Sequence, residues 1–212
     1  HVSYSEIKIW NECPHKHKLQ YVDKLSGFKG NLHTAFGTAI HSVCEHGLLN
    51  ENLDREKHFL DEFAKELVSL KEKEVVVDMT LQEQMMGQYQ PIVSSFRDEL
   101  DNYFDECAVV STEEKLYEDI EGHDLKFKGF IDVVIRDKRD GTTLYKVFWA
   151  KKHNIPLDMV ETHFGLLKRT AKNNNTEIFR VTSGQIKVNN ALTFLEKAVT
   201  NIKRKISIVR LI

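Results

Sequence analysis

Apolar residues recur at helical spacing through the first half of the chain and switch to alternation near Val109, so helices come first and strands follow. Ser3 and Glu6 predict a capping box, Ile7, Ile9 and Trp10 follow on the helix, and Cys13-Pro14 ends it. A short helix is predicted from His15 to Asp23, a loop over Gly27 to Gly30, and a helix over Phe36 to Glu45. The small residues of that last helix permit close backbone approach, and His41 lies one turn after Gly37. Leu53 to Glu74 and Leu81 to Glu106 read as amphipathic helices. Val109 to Tyr117, Leu125 to Arg136 and Thr142 to Val147 read as an antiparallel meander with turns at Glu121-Gly122-His123-Asp124 and Asp140-Gly141. Two further strands, Val160 to Arg169 and Glu177 to Val181, flank the polar turn Lys172 to Asn175. A final helix from Gln185 to Lys205 sets Leu192, Leu195, Val199 and Ile202 on one face.

One domain over 1–212 is expected, with a helical region at about 1–107 and a sheet core at about 108–212, since 41% hydrophobic residues can form a core. The strand ending at Val147 would pass into a helix at Phe148 without turn residues. That junction predicts a segment missing near 147–148. With no apolar run of about 18 residues and no leader, the chain is expected to be soluble and cytoplasmic, without a membrane partner. Cys13, Cys44 and Cys107 are odd in number and far apart, which predicts reduced thiols and neither a disulfide framework nor a zinc site. Charge changes the picture more. Net charge is −2 overall, but +1 over 1–48, −11 over 49–150 and +8 over 151–212. A basic C-terminal third can hold phosphates or simply face solvent.

Asp132 is the most informative single residue. It stands in the apolar run Phe130 to Ile135, where an unpaired carboxylate is costly unless a cation, a donor or a salt bridge meets it. His41, by spacing alone, reads equally as a packed or surface histidine, and Glu113 as a solvent-facing strand residue.

Taken together, Ser3-Tyr4-Ser5-Glu6 through Cys13-Pro14 to Leu19 and Tyr21, Gly37 to His41, Glu113 with Leu116, and Gly129 to Asp132 resemble, in order, the RecB-like branch of the PD-(D/E)XK nuclease superfamily. The resemblance implies an α/β fold: a central mixed β-sheet flanked by helices, the restriction-endonuclease-like core, with a helical N-terminal insertion. It also implies that His41 and Asp132 bind a catalytic Mg²⁺ or Mn²⁺, with Glu113 sometimes joining them. The family's next motif, acid-x-lysine before a helix bearing Gln-x3-Tyr, aligns without a gap on Trp149-Ala150-Lys151, which keeps the lysine but not the acid. Two readings follow: an inactive binder, or an active enzyme whose motif lies in the missing segment. Cys13 matches the early cysteine of an iron–sulfur branch, but no cysteine follows Cys107, so no cluster is expected and Cys13 is expected to pack in the core.

The implied activity is phosphodiester hydrolysis of DNA, at ends or in single strands, in recombination, repair or replication in bacteria or phages, beside the proteins of those processes. Lys16, Lys18, Lys168, Arg169, Lys172, Lys203, Arg204 and Lys205 are the expected phosphate contacts. Tyr4, Trp10 and Tyr21 are possible stacking residues. The alternatives are a non-catalytic nucleic-acid-binding or scaffold protein on the same fold, and a protein-interaction domain.

Overall fold

The computed structural model describes residues 1–25, 27–104, 108–136, 144–181 and 184–209. The first strand, β1 (Val2–Ser3), is only two residues long, and Ser3 also caps α1 (Tyr4–Glu12) by accepting from the Glu6 amide. Glu6 does not complete the expected capping box. Its carboxylate turns instead to the buried His17, 2.9 Å from Nε2, and His17 stacks on Tyr21. The predicted second helix begins at Pro14, as α2 (Pro14–His17), and widens to a π-helical turn over Lys18–Val22. Cys13 is exposed rather than in the core, and its Sγ accepts from the Lys16 amide at the start of α2.

Helices α3 (Leu32–Leu49), α4 (Arg55–Glu72), α5 (Met79–Met86) and α6 (Tyr89–Tyr103) form the helical region. The helix expected over Leu81 to Glu106 is two helices, separated at Gly87-Gln88 and opened early by the cap Asp78. Their shared core is aromatic: Phe59 lies flat on Tyr89 at 4.3 Å, and Phe36 meets Phe59 and Phe63 edge-on.

Strands β2 (Ala108–Asp119) and β3 (Lys126–Arg136) pair antiparallel, and β1 joins β3 in parallel, so the sheet is mixed, in the order β1-β3-β2. The third strand expected at Thr142 to Val147 is a correction. Residues 142 and 143 lie outside the described residues, and 144 onward is α7 (Leu144–His153), running unbroken through Val147 and Phe148. Tyr145, Phe148, Trp149 and Lys152 recur at helical spacing, and three aromatics on one face of a helix bury more against a sheet than a further edge strand would expose. The predicted strand pair is present as β4 (His163–Leu167) and β5 (Thr176–Arg180), a separate two-stranded sheet. Helix α8 (Gln185–Val209) packs Leu195, Val199 and Ile202 with Val2, Ile7, Leu116, Phe127 and Phe148, whereas Leu192 is exposed. Among the described residues no helix is long and apolar enough to cross a membrane.

A smaller cluster joins helices to sheet. Leu48 of α3, Leu100 and Phe104 of the α6 end, and Ile178 of β5 bury against Val109, Val133 and Ile135. This contact fixes where α3 stands relative to β3.

On the hairpin face under α7, Glu114 accepts from Lys152 at 2.7 Å, His153 at 2.5 Å, Trp149 at 3.1 Å and Ser111 at 2.8 Å. Burial alone would raise its pKa, but these donors outweigh burial and hold it at about 2. Glu114→Gln is therefore expected to cost roughly 1–3 kcal/mol at neutral pH. Because the native pKa is depressed, the difference from wild type shrinks as pH falls from the ordinary carboxylate range through about 2. Urea unfolding at several pH values reads this directly; a pH-independent gap removes the charge argument. Gly129 is required for another reason: a Cβ there would come within 2.5 Å of the Tyr145 ring. Gly129→Ala is expected to destabilise by about 1–3 kcal/mol, and by less in a Tyr145→Leu background, measured as a double-mutant cycle.

Candidate metal centre

Helix α3 presents two successive turns to one region. Ala35, Ala39 and Val43 sit four residues apart and are fully or almost fully buried, so the helix is pinned to the aromatic core along that line. His41 and Glu45, also four apart, lie on another face, with Nδ1 and Oε1 3.3 Å apart. Glu45 is buried and His41 is about half exposed. In front of Gly37, one turn earlier, a Cβ would meet nothing within 4 Å. The close backbone approach expected there is absent, and the approach along this face to His41 is open.

The hairpin brings the other members. Thr112 pairs with Val133 and Glu114 with Ile131, so Glu113 falls opposite Asp132 in the register. Beside this pair β2 is irregular. Its register shifts between Val109 and Ser111, and Glu113 has a φ of 49°, in the left-handed region that β-type residues avoid. The strain brings the Glu113 carboxylate to that of Glu45, with which it shares a hydrogen bond. One ligand atom from each of His41, Glu45 and Asp132 lies within 4.8 Å of the others.

Three carboxylates and an imidazole in one place perturb one another. Burial raises the Glu113 pKa, and the Glu45 charge and hydrogen bond raise it further. Burial likewise raises Asp132, against the lowering influence of His41. The hydrogen bond that His41 donates to Glu45 raises the imidazole pKa, aided by the charges of Asp132, Glu45 and Glu113, against desolvation. Each shift favours the form with a bound proton, as expected where negative charges converge without a compensating cation. The donor set suits a hard divalent ion. Two oxygen ligands on opposite sides of such an ion stand about 4.2–5 Å apart, which accommodates the observed spread, and an imidazole broadens the choice toward Mn²⁺. Tyr145 adds a phenol nearby, its pKa raised by burial and then by Asp132.

The structure thus brings His41, Asp132 and Glu113 together and adds Glu45, which sequence reasoning passed over. The signal was available: Glu45 lies one helical turn from His41. Lys151 stands apart. Its Nζ donates to the carbonyl of Asp119, whose strand partner is Lys126, about 20 Å along β3 from Asp132. Among the expected DNA contacts, Lys16 pairs with Glu12, Lys18 with Asp23, Lys168 with Glu177 and Lys203 with Asp124. Tyr4 is exposed, Trp10 packs beside Phe194, and the side chains of Arg204 and Lys205 lie outside the described ones. Cys107 also lies outside the described residues.

The pH dependence has one sign. Glu113, Asp132 and His41 all have raised native values, so the stability they contribute is full below their ordinary pKa values, about 4 for the acids and 6.5 for the imidazole, and is lost as pH rises through the raised ones. In EDTA the melting temperature is expected to fall over that range. Mn²⁺ or Mg²⁺ is expected to reverse the trend, with a gain that grows from about pH 5 to about pH 8 as the competing protons leave. A melting temperature indifferent to both ions at every pH would rule out a metal centre here.

A comparison with curated proteins found no significant match. The family model of the PD-(D/E)XK nuclease superfamily, whose members are nucleases that usually use divalent metals, matches residues 1–149, the span that contains His41, Glu45, Glu113 and Asp132. With well over half its length covered, the chain belongs to the PD-(D/E)XK nuclease superfamily.

Proposed function

We propose that the protein is a Mg²⁺- or Mn²⁺-dependent deoxyribonuclease of the RecB-like type, acting on DNA ends or single strands in recombination, repair or replication. The convergence of His41, Glu45 and Asp132 within 4.8 Å carries the reading. A divalent ion bound by them would polarise a phosphate and lower the pKa of a bound water. The chain's own residues do the rest. Asp132 and Glu45 would hold such an ion, and the hydrogen bond between Nδ1 of His41 and Glu45 orients the imidazole. Glu113, whose pKa is raised by burial and by Glu45, would hold a proton beside these ligands. The motif order and the basic C-terminal third support DNA as the substrate.

One observation favours a second reading, a DNA-binding protein that holds a metal without cleaving. Lys151, the lysine aligned with the family's catalytic one, is engaged at the far end of the hairpin. The two readings separate in a single assay on labelled linear duplex and single-stranded DNA with Mg²⁺ or Mn²⁺. Cleavage is expected, reduced at least ~100-fold by His41→Ala, Asp132→Ala and Glu45→Ala, and unchanged by Lys151→Ala. Wild-type rates in both His41→Ala and Asp132→Ala would displace the proposed site. Salt-sensitive DNA binding with no cleavage by the wild type would establish the second reading.

A further inference from the structure

The sheet of β4 and β5 has two unlike faces. Thr176 and Ile178 are buried beneath it, and a Cβ on Gly165 would touch Phe96 of α6. The other face is uncovered: Phe164 is 58% exposed, Leu166 47% and Phe179 42%. Phe164 and Phe179 are directly paired across the strands, with ring centroids 6.0 Å apart. Two large aromatics side by side in solvent cost stability unless something covers them.

The surroundings identify the occupant. Lys168, whose amide bonds to the Asn175 carbonyl, continues the row Phe164, Leu166 on the same face, where its ammonium is paired with Glu177, the residue across from Leu166. Lys168, Lys172, Asn173 and Asn174 line an open concavity at the hairpin tip, beside Glu99 and Glu177. Arg169 and Lys172 are in no ion pair among the described residues. The whole segment 151–212 carries +8. Aromatic faces followed along a strand by basic and amide side chains match a flexible polyanion with exposed planar bases. From Phe164 to Lys168 is about 13 Å along the strand, room for roughly two nucleotides.

We propose that the exposed β4–β5 face is a binding platform for single-stranded DNA, with Phe164 and Phe179 stacking on bases and Arg169 and Lys172 holding the phosphates at the tip. It deepens the nuclease reading by naming the strand state of the substrate, yet it is tested independently of cleavage.

The test is fluorescence anisotropy of a labelled oligothymidylate of about 20 nucleotides and of a duplex of the same length, in EDTA at low salt, with the full chain. Phe164→Ala/Phe179→Ala is expected to weaken single-strand binding about 10- to 100-fold and duplex binding little. Phe164→Leu/Phe179→Leu, which keeps the apolar surface, is expected to lose as much, whereas Phe164→Trp is expected to bind and to show indole fluorescence quenched by the oligonucleotide. Circular dichroism and melting temperature establish that each variant is folded. Single-strand affinity unchanged in the alanine pair, or retained by the leucine pair, overturns the proposal. So does a wild-type dimer in sedimentation that the alanine pair converts to monomer, which would make this face an interface between two copies. A wild type that binds the oligonucleotide through these residues but cleaves no DNA with any divalent ion would retire the nuclease reading and leave the platform standing.

Discussion

The candidate metal centre depends on apolar packing that overrides electrostatic repulsion. Glu45, Glu113 and Asp132 would separate if free to do so, yet α3 is locked to the aromatic core by Ala35, Ala39 and Val43 and to the hairpin through Leu48, Val109, Val133 and Ile135. A cluster of carboxylates held in this way binds either protons or a cation. Burial, with the neighbouring acids, raises the pKa values of Glu113 and Asp132 accordingly. The left-handed backbone at Glu113 belongs to the same account, since conformational strain of about 1–3 kcal/mol persists only where the surrounding structure enforces it.

Neighbouring residues of β2 show how strand alternation divides labour. Glu113 faces the cluster and is pushed up by its fellow acids; Glu114 faces α7 and is held near 2 by lysine, histidine, indole and hydroxyl donors. One carboxylate meets another acid, and the other is supplied with four donors. A one-residue slip of β2 against β3 would exchange them and disable both the centre and the anchoring of α7. The long register from Asp119↔Lys126 to Ser111↔Val134 guards against that slip, and the bulge at Val110 ends it beyond the site.

Much of this was legible in the amino-acid sequence. Helical spacing located α3, α4 and α8, alternation located β2 and β3, and an acid inside an apolar strand pointed to Asp132. The misreadings have local causes. The run from Leu144 to Val147 is compatible with a strand over four residues, and only the continuation to Phe148, Trp149 and Lys152 reveals period 3.6. Strand β1 is too short to show any period. Cys13 looks like a core residue by type, but the chain needs an acceptor for the first amides of α2, and the thiol supplies it. Glu113 reads as solvent-facing because alternation alone says nothing of α3. That it meets Glu45 is a tertiary fact.

The elements beyond the matched span are not accessory. Residues 1–149 contain His41, Glu45, Glu113 and Asp132, but the match ends in the middle of α7. The underside of the hairpin is buried by Leu195, Ala198, Val199 and Ile202 of α8, and the junction that orients α3 includes Ile178 of β5. Removing the C-terminal third would expose Leu116 and Phe127 and take Ile178 from the junction between α3 and the hairpin. The C-terminal third, with a net charge of +8, therefore contributes to packing beneath the hairpin as well as carrying the chain's positive charge.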